Sequence, residues 1–328
     1  MIWSRLKAWI AKLFRREPAP GRWIEGIAFS WHGFIGFRPW VLPRRHYRTY
    51  LPRGFRRRAG APLIVLIHGC RQSAHEFARG ARIEALADRL GVVVLTPDQN
   101  DGANPIRCWN WFDARTAAGR GEAAIVAAML GEVQRRYRID PARTLVAGMS
   151  SGASLAAVLG IRHPSLLRSV VTHSGIAAGA AASAFTAISV MGRGPETDIA
   201  AIATAARRAT GGKSLVTLLA IQGLADDVVA SRHGASLARQ YLAFNGIEVP
   251  PGAQTLLPPP DRTESDAAAL NTVHLREWQR DGRPLVRLLE IEGLGHAWSG
   301  GDPALPFNDA ATPDATAMIG DWLGAASR

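Results

Sequence analysis

The chain has 328 residues, of which 47% are hydrophobic and 20% are charged. This length and composition fit one large α/β domain or two small ones, and they exclude an intrinsically disordered chain. Because no run of eighteen or more uncharged apolar residues occurs, the sequence predicts no transmembrane span.

The net charge of +12 is concentrated at the start of the chain. Residues 1–60 hold fourteen of the 39 basic residues but only two of the 27 acidic residues, so the rest of the chain is neutral overall. This distribution indicates that one end of the protein meets an anionic surface. The sequence predicts no nucleic-acid binding, since the excess of basic charge is confined to residues 1–60 and no recognition motif follows.

Residues 2–16 have the pattern of a basic amphipathic helix, with apolar residues at helical spacing and Arg or Lys between them. The charges interrupt any apolar core of a signal peptide, and no small-residue cleavage site follows, so we predict no cleavable signal peptide. We expect the segment 1–20 either to lie on an anionic membrane or granule surface or to pack on the body of the protein.

Residues 21–61 form a lead-in that is rich in Arg, Pro and aromatic residues, with a predicted edge strand at 46–51. From 62 to 328, short apolar runs alternate with helical patterns, which predicts a parallel sheet with crossover helices. The predicted strands are 63–67, 92–96, 144–147, 169–172, 215–221 and 285–291. The predicted helices lie near 74–90, 120–137, 152–162, 231–244 and 313–325. The Ala- and Gly-rich stretch 176–212 is predicted to be a small helical insertion over the site, and 246–284 to begin as an irregular Pro-rich loop.

A G-x-S-x-G pentapeptide occurs once, at 148–152, with Ser150 at its centre. The apolar strand 144–147 runs directly into it, and an Ala-rich helix leaves it. A nucleophile elbow requires this strand–turn–helix context, with small residues two positions before and after the serine. The sequence therefore predicts Ser150 as a nucleophile rather than as part of an ordinary Gly-Ser turn.

A serine hydroxyl needs a neighbouring base to become nucleophilic near neutral pH. His296 lies in a Gly-rich loop after strand 285–291, and the chain order Ser, acid, His suits this position. His68 and His173 also end strands; we interpret His68 as a shaping residue and His173 as a buried histidine or a pocket wall. His296 is therefore the predicted general base.

The acid that orients this histidine is expected where strand 215–221 ends, at Asp226 or Asp227. Both fit the chain order, and either is suited to cap a turn instead. We predict Asp226, mainly from the family pattern given below.

The tetrahedral intermediate of ester hydrolysis carries an oxyanion, which backbone N–H groups stabilise. The predicted donors are the N–H of Ser151, directly after the nucleophile, and the N–H of Cys70, in the loop after strand 63–67. This chemistry requires no metal and no organic cofactor.

Several longer motifs resemble the poly(3-hydroxybutyrate) depolymerase family of esterases, which also includes feruloyl and acetylxylan esterases. The matching stretches are 68–73 (HGCRQS), 97–100 (PDQN), 108–112 (CWNWF), 121–122 (GE), 148–152 (GMSSG), 223–229 (GLADDVV) and 293–302 (GLGHAWSGGD). They span about residues 60–325. The resemblance implies an α/β-hydrolase fold, with a mostly parallel central sheet and helices on both faces, and hydrolysis of esters by a Ser–Asp–His triad.

The resemblance also assigns the acid. The family carries it as the D of HG-x-x-D-x-x-V, which is Asp226 here, with Gln222 in place of the family's His. After the nucleophile, the residues at 151–153 are Ser-Gly-Ala where the family usually has Ala-Gly-Gly.

Two further sets of residues gain roles from the resemblance. It implies a disulfide between Cys70 and Cys108, which the sequence alone leaves open as two buried thiols. It also makes Trp109, Trp111 and Trp298 candidates for substrate contact, with core packing as the alternative.

The expected substrate is a poly- or oligo-(3-hydroxyalkanoate), such as a 3-hydroxybutyrate ester. One alternative is a feruloyl or acetylxylan-type ester hydrolysed by the same triad; another is a non-catalytic protein that binds a surface through its basic leader. Many secreted family members carry a signal peptide and a separate polymer-binding domain, and neither is recognised here. We therefore expect a cytoplasmic or a membrane- or granule-associated location.

Overall fold

The computed structural model describes residues 19–36, 38, 40–212, 214–267, 271–310 and 313–326. The predicted basic helix at 2–16 lies outside the described residues. Among the helices that are described, none is both long and apolar enough to cross a membrane.

In the described part of the chain, ten strands form one large sheet and two short strands form a second. In chain order they are β1 Arg22–Phe29, β2 Arg44–Leu51, β3 Ala61–Ile67, β4 Val93–Pro97, β5 Ile139–Met149, β6 Ser169–His173, β7 Thr217–Gly223, β8 Arg262–Asp266, β9 Val273–Arg280, β10 Arg283–Ile291, β11 Trp298–Ser299 and β12 Asn308–Asp309. The order across the large sheet is β1-β2-β4-β3-β5-β6-β7-β10-β9-β8. The six strands from β4 to β10 are parallel, and antiparallel strands extend the sheet at both edges.

Helices cover both faces of this sheet. They are α1 Ala74–Gly80, α2 Ile83–Leu90, α3 Ala114–Ala117, α4 Gly121–Tyr137, α5 Ser151–Arg162, α6 Ala184–Arg193, α7 Ile199–Ala209, α8 Arg232–Phe244 and α9 Ala315–Ala326. Because side chains alternate along a strand, Leu63 and Val65 pack with α4, α5, α7 and α8, whereas Ile64 and Leu66 pack with α1, α2 and α9. The prediction of a mostly parallel sheet with helices on both faces is confirmed.

The predicted and observed secondary structure differ where contacts between distant parts of the chain determine the local conformation. The predicted helix 74–90 is two helices, because the chain turns at Arg82, whose φ is 52°. The sequence missed β8 and β9, since β8 is exposed along its whole length and shows no apolar run. The stretch 176–212, predicted to be a helical insertion, contains the helices α6 and α7. The lead-in at 21–61 contributes β1 and β2, which extend the main sheet at one edge.

The topology brings the predicted site residues to one edge of the sheet. Cys70, Ser150, Asp226 and His296 each follow the carboxyl end of a central parallel strand, β3, β5, β7 and β10 respectively. In open α/β sheets, ligands bind at this edge.

Candidate active site

Ser150 occupies a sharp turn between β5 and α5. Its φ is 55° and its ψ is −120°, a conformation that L-residues other than glycine rarely adopt. A Cβ on Gly148 would lie 2.5 Å from the carbonyl group of Gly152, and one on Gly152 would lie 2.2 Å from the carbonyl oxygen of Ile67. The two glycines are therefore required by close backbone contact, and the turn exposes Ser150 to a cavity.

His296 is paired with Asp226. Its Nδ1 lies 2.9 Å from Oδ2 and 3.1 Å from Oδ1 of the carboxylate, whose side chain is fully buried. The N–H groups of Val228 and Val229 donate to Oδ1 at 3.0 and 2.8 Å. Asp227, the alternative acid, is exposed.

The environment of Asp226 keeps it ionised. Burial acts to raise its pKa, but the hydrogen bond and charge of His296, together with the N–H of Val229, outweigh burial and hold the pKa below its ordinary value. An ionised carboxylate only accepts hydrogen bonds, so Nδ1 of His296 carries the proton and Nε2 is the basic nitrogen.

Gln222 supports the turn that holds this carboxylate. Its Nε2 donates to Oδ2 of Asp226 at 3.4 Å and to the carbonyl oxygens of Gly223 and Val229 at 3.2 and 3.1 Å. The departure from the family's His therefore leaves a hydrogen-bond donor beneath the acid.

The loop after β3 approaches Ser150 closely. A Cβ on Gly69 would lie 3.3 Å from the Cβ of Ser150. The N–H of Gly69 donates to Gln72 at 2.9 Å and the N–H of Arg71 donates to Ile106 at 2.7 Å, which fixes the backbone on both sides of Cys70. A disulfide joins Cys70 to Cys108. The N–H of Ser151 lies in the first turn of α5, where backbone N–H groups have no partner within the helix.

A buried ionic network, whose role the sequence analysis missed, lies beneath the Cys108 loop. Oε1 of Glu122 accepts from Arg45, Gln99 and Asn110 at 2.9, 2.8 and 2.9 Å, and both charged side chains are buried. Gln99 also donates to the carbonyl oxygen of Cys108 at 2.8 Å. The sequence signals were the family matches at 97–100, 108–112 and 121–122, and the network shows that Glu122 anchors the loop that carries the disulfide.

Only one of the three predicted substrate-facing tryptophans lines the cavity, namely Trp111. Trp109 and Trp298 are fully buried away from it, so the prediction of substrate contact is wrong for these two. Trp298 stacks on His173 and donates from its indole N–H to Thr316, which commits it to the core.

The two other strand-end histidines are buried and uncharged. Burial lowers the pKa of His173 to about 3, and its Nε2 accepts from the N–H of Ser299 at 3.2 Å. Burial also lowers the pKa of His68, whose Nε2 accepts from the N–H of Gln99 at 3.1 Å. Neither lines the cavity, so His68 shapes the loop and His173 is a core residue.

The cavity beside Ser150 and His296 has a volume of about 530 Å³. Helix α6 forms one wall through Ala187, Ile188 and Met191, and further apolar walls come from other elements: Ile106, Trp111, Phe112, Ile176, Val228, Val229 and Phe307. Apart from Trp111, the sequence could not assign these residues, because they come from separate segments of the chain. The cavity is therefore suited to an apolar group next to a polar reacting end.

The strand order, the turn at Ser150 and the buried Asp–His pair define the α/β-hydrolase class. A solved structure of an acetyl xylan esterase from Aspergillus awamori shares this fold, with a TM-score of 0.69 and 18% identity, covering 92% of this chain and 99% of that one. The predicted α/β-hydrolase fold is thus confirmed. Residues 45–256 match the model of the family described as Esterase PHB depolymerase, and the chain belongs to this family.

Two curated relatives place the chain within the family. It is 28% identical over 262 residues to a poly(3-hydroxyalkanoate) depolymerase C from Paucimonas lemoignei, covering 78% of this chain and 59% of the relative. It is 25% identical over 327 residues to a poly(3-hydroxybutyrate) depolymerase from Ralstonia pickettii, covering 92% of this chain and 62% of the relative. The chain thus spans about three fifths of the length of these relatives.

Proposed function

We propose that this protein hydrolyses carboxylic esters through an acyl-enzyme on Ser150. The observation that carries the proposal is the buried Asp226–His296 pair, which opens onto the same cavity as the strained Ser150. In the reaction, Nε2 of His296 takes the proton of Ser150 as Oγ attacks the ester carbonyl carbon. The imidazolium then gives the proton to the departing alkoxide, and water, activated by the same His296, hydrolyses the acyl-serine.

The oxyanion would be held by the N–H groups of Cys70 and Ser151. Their supports are the hydrogen-bonded loop after β3 and the N-terminus of α5, where the helix dipole favours negative charge. Such donors act without reorganisation, because backbone groups in these elements are already fixed.

The proposed substrate class is poly- or oligo-(3-hydroxyalkanoate), as the names of the two curated relatives suggest. The apolar cavity supports it, and so does an apolar rim that consists of Ile106, Phe185, Ile188 and Val228. These four side chains are 48%, 85%, 74% and 42% exposed, and three of them line the cavity. A rim of this kind suits an insoluble apolar polyester rather than a hydrated polysaccharide.

The test of this proposal compares three kinds of ester at equal enzyme concentration. We expect faster hydrolysis of oligo- and poly-(3-hydroxybutyrate) than of methyl ferulate or acetylated xylan, measured as released acid. A preference for ferulate or acetyl esters would indicate that the substrate is a plant polysaccharide ester and not a polyester. No turnover of any ester, with no labelling by a fluorophosphonate, would favour the non-catalytic surface-binding protein.

Replacing Phe185, which lies on the rim but does not line the cavity, by Ser should lower hydrolysis of solid polyester about tenfold and leave the rate on a soluble p-nitrophenyl ester within twofold. Burial of such a side chain against an apolar surface contributes roughly 1.5–3 kcal/mol when complete. The measurement is the ratio of the two rates. Leu90→Ser is the control, since this leucine is 44% exposed and does not line the cavity. Equal losses on both substrates would show that the rim does not adsorb polymer.

We further propose that the basic leader at 2–16 associates with an anionic membrane or granule surface in the cytoplasm. Its support is the alternation of apolar and basic residues in the sequence. Deleting residues 1–20 should then lower partitioning onto anionic liposomes, and unchanged partitioning would count against it.

A further inference from the structure

A second basic region lies on the folded body, at the end of the sheet opposite the candidate active site. Its members are exposed arginines from the loop before β3, the end of α4 and the start of β5: Arg53, Arg56, Arg57, Arg58, Arg135, Arg136, Arg138 and Arg143. We call this set the arginine face. Ser150 follows the other end of β5, so the arginine face and the cavity point in opposite directions.

Hydrogen bonds join the two segments that form the arginine face. Nε of Arg57 donates to the carbonyl oxygen of Arg136 at 2.7 Å. A guanidinium nitrogen of Arg143 donates to the carbonyl oxygen of Gly60 at 2.7 Å. The N–H of Gly60 donates to the carbonyl oxygen of Arg138 at 3.0 Å. The arginines are therefore held together as one surface.

The positive charge of this surface exceeds the negative charge of the acids beside it, Asp88, Glu132 and Asp140. Within the described part of the chain, none of the eight guanidinium groups forms a salt bridge. These acids accept hydrogen bonds from neutral groups: Asp88 accepts from the hydroxyl of Tyr50 and the backbone N–H of Arg53, and Asp140 accepts from the N–H of Ala142. Glu132 lies against the hydroxyl of Tyr47.

A purely structural role accounts for only part of this set. Arg135 and Arg136 lie in the last turn of α4, where a positive charge interacts favourably with the helix dipole. Arg57 caps the last turn of α4 through the carbonyl oxygen of Arg136, whereas Arg56 and Arg58 form no side-chain hydrogen bond within the described part of the chain. A cluster of eight arginines that forms no salt bridge within the described part of the chain, beside only three acids, indicates an external anionic partner.

We propose that the arginine face binds an anionic lipid membrane and directs the active-site cavity away from it. The chain itself favours a membrane over nucleic acid as the partner. The N–H of Gly54 donates to the carbonyl oxygen of Ala19 at 2.8 Å, so Ala19 lies beside this face. The basic segment 2–16, in whose sequence Trp and Phe alternate with Arg and Lys, ends three residues before Ala19. Apolar anchoring together with a basic patch is the combination that holds proteins stably on anionic membranes.

The test measures partitioning of the full chain onto phosphatidylglycerol-containing vesicles and onto pure phosphatidylcholine vesicles. We expect binding to the anionic vesicles only, and loss of most of it at high salt, because exposed charges are screened. A basic residue near an anionic membrane strengthens binding about fivefold. The triple variant Arg56→Gln, Arg57→Gln, Arg58→Gln should therefore bind on the order of a hundredfold more weakly. Since its leader is unchanged, this loss reports on the folded body.

The matched control removes three exposed arginines outside the face, as Arg44→Gln, Arg79→Gln, Arg120→Gln. It should bind like the wild type, and all variants should hydrolyse a soluble ester at the wild-type rate if folded. If the triple variant does not fold, Arg135→Gln with Arg143→Gln gives the second test, with an expected loss of about twenty-five-fold. Unchanged binding, an equal loss in the control, or binding of RNA without binding of vesicles would overturn the proposal.

Discussion

Replacing Ser150 by Ala should reduce ester hydrolysis on the order of 10⁴-fold or more and abolish labelling by a fluorophosphonate. The substitution removes the attacking oxygen and leaves only direct attack by water, with oxyanion stabilisation still in place. Alanine keeps the Cβ in a turn whose φ is 55°, so the fold should be unchanged. The measurements are kcat on a p-nitrophenyl ester, intact mass after labelling, and thermal unfolding.

Ser151→Ala is the control for this experiment, because it removes a neighbouring hydroxyl and keeps the backbone N–H. The Oγ of Ser151 lies 3.3 Å from the N of Trp109 and 3.4 Å from the Sγ of Cys70, so its loss affects packing beside the disulfide. The variant should still be labelled, at Ser150. Labelling or turnover that survives in Ser150→Ala would assign the nucleophile to another residue.

The turn at Ser150 could be predicted from the sequence because its requirements are local. Five consecutive residues contain both glycines that the backbone contacts demand, and a buried strand and a helix flank them directly. The central strands could also be predicted from the sequence, since strands buried on both faces are continuous apolar runs. The positions of Cys70 and His296 could be predicted because each lies in the loop after a predicted strand.

Apart from Trp111, the walls of the cavity could not be predicted, because the burial of an aromatic side chain depends on distant contacts. Trp298 belongs to the same motif as His296, yet its indole packs against Phe77 and His173 and bonds Thr316. The apolar wall from α6 lies in a stretch of small residues without motif, and only the tertiary structure brings Ile188 to the cavity.

Asp226→Asn should lower kcat about 10³- to 10⁴-fold, whereas Asp227→Asn should leave it within about twofold. The amide introduced at the first position can donate to Nδ1 of His296, which would favour the tautomer whose proton is on Nε2 and so block proton transfer from Ser150. The two substitutions change charge and size identically at adjacent positions. They differ only in place, since Asp226 is buried against His296 and Asp227 is exposed. Rates on a soluble ester measure the difference.

The free energy of unfolding provides an independent measure of the contact between Asp226 and His296. The pKa of Asp226 is lowered in the folded protein, so its ionised form stabilises the fold above the unfolded pKa of about 4, and this contribution is lost as pH falls through the folded pKa. The difference in unfolding free energy between wild type and Asp226→Asn should therefore be largest near neutral pH and shrink in acid. A pH-independent difference, or a larger rate loss in Asp227→Asn, would show that Asp226 is not the carboxylate that holds His296.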